Sequence, residues 1–112
     1  MFIINKGNDR MFLFYKGANE KFSKEMVNYQ VFKDYKFVHI SPTKIEIAEY
    51  AAKMAKENNN VVSFDPGEQL CYYHAEEVLK MIKNVDFLFV NRHELSALLG
   101  SDDLEEGGKY LK

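Results

Sequence analysis

Between residues 36 and 99, short apolar runs alternate with amphipathic stretches, and no other feature restricts the fold as much. Phe37-Val38-His39-Ile40, Val61-Val62-Ser63-Phe64 and Asp86-Phe87-Leu88-Phe89-Val90 have strand length and strand composition. After the first, Thr43 and Glu46 stand at capping-box spacing and predict a helix start. Ile47, Ala48, Ala51, Met54 and Ala55 share one face of that helix, and Asn58-Asn59-Asn60 stops it. A second helix is expected over roughly Tyr72 to Lys83, burying Ala75, Val78, Leu79 and Ile82. A third opens at Asn91 and runs through Leu99, with Gly100 as its C-terminal glycine. Apolar strands separated by such helices predict an α/β fold: a Rossmann-like parallel βαβ sheet covered on its faces.

The segment before residue 36 has a different character. Phe2-Ile3-Ile4 and Met11-Phe12-Leu13-Phe14-Tyr15 flank Asn5-Lys6-Gly7-Asn8-Asp9, which predicts a short β-hairpin. Gly17-Ala18-Asn19 breaks the second strand, and Ser23 to Asn28 is expected to form a short helix capped by Ser23. At the other end, Asp102 to Lys112 reads as helical, with Asp102 and Glu105 as its cap, although Gly107-Gly108 disfavours a helix interior. The expected organisation is a hairpin or small-sheet segment over 1–35 and a βαβ core segment over 36–112, together one incomplete domain.

With 112 residues there is room for a single core. Fifteen basic residues against 17 acidic ones, with no basic stripe, argue against a nucleic-acid partner. The single cysteine, Cys71, has no intramolecular partner, which suits a reducing compartment, and it reads as a passive core side chain rather than a nucleophile. No apolar run approaches the roughly 20 residues of a membrane span. Met1-Phe2-Ile3-Ile4 is too short for a signal peptide. The expected location is the cytoplasm, with no membrane partner.

Ligands of open parallel sheets bind beyond the carboxyl ends of the strands. Here those positions are Ser41, then Asp65-Pro66-Gly67, then Asn91-Arg92-His93-Glu94. Short polar and acidic groups beside helix starts suit a hydroxylated or phosphorylated ligand with a metal ion. Each also has a purely structural reading. Asn91 and Glu94 stand at capping-box spacing, and Asp65 before proline is a common turn opener. His39, inside an apolar strand, reads as a packed core side chain. His74 and His93 lack a partner at metal-ligand spacing and read as surface residues. The phosphate loop, the dinucleotide fingerprint and the nucleophile elbow are all missing from the sequence.

Val61-Val62-Ser63-Phe64-Asp65-Pro66-Gly67, an amphipathic helix, and then Val85 through Asn91-Arg92-His93-Glu94 to Gly100 resemble the ribokinase-like (PfkB) carbohydrate and nucleoside kinases. Members carry an Asp-Pro-Asn-like turn after one strand and Asn-x-x-Glu at the head of a later helix. Gly7 to Asn19 is similar to the family's hairpin and Gly-Ala turn. The resemblance implies ATP-dependent phosphoryl transfer to an alcohol group of a sugar, nucleoside or similar small molecule. It also implies nucleotide binding by Asn91, Glu94 and Asp65, and Mg²⁺, with ATP, arranged largely through water by Glu94. In this family the small sheet often mediates dimerisation, so a homodimer is a further expectation.

Two departures accompany the resemblance. Gly67 stands where many members have asparagine. The family's Gly-Ala-Gly-Asp motif, which carries the catalytic base and anion hole, does not occur in the sequence, nor does its N-terminal Gly-Gly region. The expectation is therefore an internal section of a longer kinase, with no catalytic residue of its own. Acceptor contacts from Tyr15, Lys16 and Asn19 are compatible with the hairpin, and so is plain strand pairing. The competing class is a non-catalytic Rossmann-like binding or interaction module. Receiver-type and methyltransferase-type domains fit less well, since their paired early acids and glycine-rich loop are missing.

Overall fold

The computed structural model describes residues 2–7, 9–13, 15–101 and 103–110. Strands β1 (Phe2–Lys6) and β2 (Asp9–Leu13) pair antiparallel, with Ile4 opposite Met11, as the hairpin reading requires. A 3-10 turn at Gly17–Glu20 follows. The expected Ser23–Asn28 helix shrinks to a 3-10 turn at Lys24–Met26. Ser23 does not cap it with its side chain; the nearby hydroxyl is the leading influence that holds the Glu25 pKa below its usual value. A helix that the sequence pattern does not announce, α1 (Gln30–Asp34), buries Phe32 in the core. Its signal is Asn28, whose side-chain oxygen accepts from the Gln30 N–H at 3.0 Å.

The central sheet is parallel, in the order β3 (Phe37–Ile40), β4 (Val61–Phe64), β5 (Phe87–Leu88). Ile40, Phe64 and Leu88 share one rung. Beyond β5 the ladder continues loosely, through the Phe89 N–H to the Phe64 carbonyl at 2.8 Å.

The link β3–β4 carries α2 (Ile45–Glu57). Ala48, Ala52 and Ala55 are fully buried, a small-residue seam that brings the helix close to the strands. Ala51 and Met54, expected on the buried face, are only half-buried, and Ala52 takes the central place. The expected Thr43–Glu46 capping box does not form. Lys44 is the N-cap residue, with extended backbone, so the helix begins one residue too late for that spacing. Lys44 Nζ instead donates to the carbonyls of Glu20, at 2.6 Å, and Phe22, at 3.0 Å. This ties the segment after the hairpin to the head of α2.

The second crossover also differs from expectation. In place of one helix from Tyr72 to Lys83 there are two, α3 (Gly67–Tyr73) and α4 (Ala75–Met81), followed by a 3-10 turn at Ile82–Asn84. His74 separates them with a non-helical backbone (φ −138°, ψ 34°). The break lets Leu70 and Cys71 of α3, and Val78 and Met81 of α4, all reach the core. Leu79 and Ile82 are only half-buried.

After β5, α5 (Arg92–Leu99) ends at Gly100, which adopts the left-handed conformation (φ 72°) as read from the sequence. The chain closes with α6 (Leu104–Tyr110). Asp103 serves its first turn, its Oδ1 accepting from the N–H groups of Glu105 and Glu106 at 2.8 and 3.2 Å. The expected cap residue Asp102 lies outside the described residues.

One further expectation fails. Val62 and Phe64 are fully buried beneath the helices, but the opposite sheet face is bare among the described residues. Phe37, Phe87 and Phe89 are 70%, 59% and 57% exposed there. His39 lies on this face too, exposed rather than packed in the core. Its Nδ1 lies 2.9 Å from Ser63 Oγ on the next strand, and its ring meets Phe89 edge-on.

Candidate functional site

The shared rung Ile40–Phe64–Leu88 aligns the carboxyl ends of the strands, so Ser41 and Asp65 leave the sheet side by side. The Asp65 N–H donates to the Ile40 carbonyl at 2.9 Å, which fixes where the second link begins. Asp65 is half-buried, and its Oδ1 accepts from the Gly67 N–H at 3.0 Å. This is an Asx turn, the structural role read from the sequence. Gly67 has φ +69°, a region that glycine adopts without penalty. The close approach of Pro42 to Gly67 could not be read from sequence, because nothing in the local pattern links the two loops.

Asn91 and Glu94 form a complete capping box at the head of α5. Asn91 Oδ1 accepts from the Glu94 N–H, and Glu94 Oε2 accepts from the Asn91 N–H, both at 2.9 Å. Glu94 is only 8% exposed, whereas Asn91, Arg92 and His93 are exposed. Glu94 Oε1 accepts no hydrogen bond from the described residues, so one carboxylate oxygen stays uncommitted.

Cys71, buried in α3, feels the charge of both Glu94 and Asp65. Its thiol is pushed up to about 12, mainly by burial and then by Glu94 and Asp65. A thiol so hard to ionise is a poor nucleophile, which agrees with the passive role read from the sequence. His74 and His93 stay apart from this edge chemistry: His93 is exposed, and His74 Nδ1 lies 3.5 Å from Glu77 Oε1. Among the described residues no group of three or more His, Cys, Asp or Glu side chains is placed to hold a metal ion. No described helix is long and apolar enough to cross a membrane.

A family model described as pfkB family carbohydrate kinase matches residues 1–112. The chain belongs to the pfkB family. A nucleoside kinase of Methanocaldococcus jannaschii is 46% identical over 57 residues, 51% of this chain and 18% of that protein. An ATP-dependent ribose-1-phosphate kinase of Halopiger xanaduensis is 34% identical over 92 residues, 82% of this chain and 30% of that protein. The crystal structure of the M. jannaschii nucleoside kinase, an archaeal member of the ribokinase family, superposes with a TM-score of 0.60 at 31% identity. It covers 94% of this chain and 35% of that one. The chain thus spans about a third or less of the length of these pfkB-type relatives.

Proposed function

We propose that these residues are the central part of an ATP-dependent kinase that phosphorylates an alcohol group of a sugar, nucleoside or similar small molecule. The observation that carries this reading is the Asn91–Glu94 pair. It holds a largely buried carboxylate at the carboxyl edge of a parallel sheet, with Oε2 tied to the backbone and Oε1 uncommitted.

That donor set fits Mg²⁺ in one way only. Direct ligation by several side chains is not offered among the described residues, but a hydrated Mg²⁺ needs just one or two carboxylates besides phosphate oxygens. Glu94 Oε1 is the group to accept from the metal's water. Asn91 keeps that carboxylate in place, and Asp65 lines the neighbouring loop toward the nucleotide. When bound, Mg²⁺ neutralises charge on the transferring phosphoryl group. The general base belongs to a Gly-Ala-Gly-Asp motif that these 112 residues do not contain.

The same reading places the kinase in the cytoplasm, away from nucleic acid and membrane. It also makes the kinase a homodimer through the hairpin, whose Ile3, Ile4, Met11 and Leu13 are exposed. Sedimentation showing only monomer at high concentration overturns the dimer. The function itself is tested by supplying Mg²⁺ and ATP to the complete protein with a panel of nucleosides, sugars and sugar phosphates. Acceptor-dependent ADP release is expected from the complete protein, and none from the 112-residue chain alone. Absence of acceptor-dependent ADP from the complete protein contradicts the kinase reading, and robust turnover by the short chain contradicts the placement of the base outside it.

A further inference from the structure

We infer that Pro42 is a positioning residue: it fills the space that a side chain at residue 67 would need, and so locks the link after β3 to the Asp65 turn after β4. An ideal Cβ built on Gly67 stands 2.8 Å from Pro42 Cγ and 3.0 Å from Pro42 Cβ. Both distances lie inside van der Waals contact. A flexible side chain would yield by changing rotamer, but a proline ring is fused to its backbone and yields only if the link itself moves.

Gly67 is the described glycine where this crowding coincides with a positive φ. Gly7 and Gly100 share the positive φ in open space, and Gly107 lacks a positive φ and is crowded by the Leu95 side chain alone. The turn is held from the other side as well. The Gly67 N–H donates to Asp65 Oδ1 at 3.0 Å, and Pro66 between them is fully buried. With Pro42 against Gly67, the placement of Asp65 relative to Ser41 and α2 is set by contact between two loops. The identities at 42 and 67 are therefore coupled. That this matters for catalysis rests on the proposed nucleotide site.

Gly67→Asn is the informative variant, because asparagine tolerates positive φ better than most residues and leaves the overlap with Pro42 as the main change. Urea unfolding of the 112-residue chain is compared for wild type, Gly67→Asn, Pro42→Gly (which removes both Cγ and Cβ) and the double variant. Gly67→Asn is expected to lower the midpoint, and in the Pro42→Gly background the same substitution to cost much less. If Gly67→Asn fails to fold, folding of the double variant is the expected rescue. Additive effects, or no rescue, overturn the interlock.

In the complete protein, Gly67→Asn is expected to raise KM for ATP about tenfold with a smaller change in kcat, and the double variant to return it to within about twofold. An unchanged KM beside a coupled unfolding cycle removes the positioning role. A wild-type protein without phosphoryl transfer overturns the kinase reading alone, because the unfolding cycle still judges the Pro42–Gly67 contact.

Discussion

Asn91 and Glu94 bind each other twice, side chain to backbone in both directions, at 2.9 Å. The carboxylate proposed to organise the metal is therefore already part of the fold before any ligand arrives. Asn91→Ala removes the acceptor for the Glu94 N–H and should cost about 0.5–2 kcal/mol in urea unfolding. Glu94→Gln keeps an oxygen for the Asn91 N–H and should be nearly silent in the same measurement. A larger loss in Glu94→Gln than in Asn91→Ala would show that the charge, more than the hydrogen bond, stabilises the head of α5.

The two adjacent glycines of α6 should behave in opposite ways. A Cβ at Gly108 meets open space, so Gly108→Ala should stabilise the chain by about 0.5–1 kcal/mol through helix propensity. A Cβ at Gly107 comes within 2.9 Å of Leu95 Cδ2, where α6 crosses α5. Gly107→Ala should therefore gain less than Gly108→Ala, or lose stability outright. Thermal melts of both variants check the order, and equal gains would contradict the close packing of α6 on α5.

These glycines show what the sequence could and could not convey. Local patterns carried the strands, the hairpin and both ends of α5, because each depends on neighbours within a few residues. Asn91 to Glu94 and Gly100 are legible for that reason. Helix starts depend on more than local spacing: Thr43 and Glu46 stand at the spacing of a cap, but Lys44 is held by the distant carbonyls of Glu20 and Phe22. The division at His74 answers to a core that Leu70, Cys71, Val78 and Met81 must all reach, which periodicity along one helix cannot reveal. The burial of Glu94 and its shared influence with Asp65 on Cys71 likewise depend on tertiary packing.

Asp86 offers a test in pH. It accepts from Lys56 Nζ at 2.8 and 3.0 Å and from the Val62 N–H at 2.8 Å, joining α2, β4 and the start of β5. The Lys56 bond, followed by the Val62 bond, holds its carboxyl below the usual range. A depressed folded-state pKa means that the stabilisation is fully present above the unfolded value and is lost as pH falls through the folded one. Asp86→Asn should therefore lower the urea midpoint at neutral pH, and the gap from wild type should close as pH drops below about 4. A gap that stays constant down to pH 3 would show that the ion pair contributes nothing. Because the pair is partly exposed, added salt should narrow the gap as well.

The most direct test of the kinase reading is the Mg²⁺ dependence of Glu94→Gln in the complete protein. The neutral amide preserves the capping hydrogen bond and removes the charge proposed to face the hydrated metal. Steady-state rates are measured against Mg²⁺ concentration at saturating ATP and acceptor, with a melting curve for each protein. The expected result is a lower kcat, a several-fold higher Mg²⁺ requirement on the order of a lost charge interaction, and an almost unchanged melting temperature. An unchanged Mg²⁺ dependence would leave Asn91 and Glu94 as a helix cap alone and contradict the assignment of the metal site.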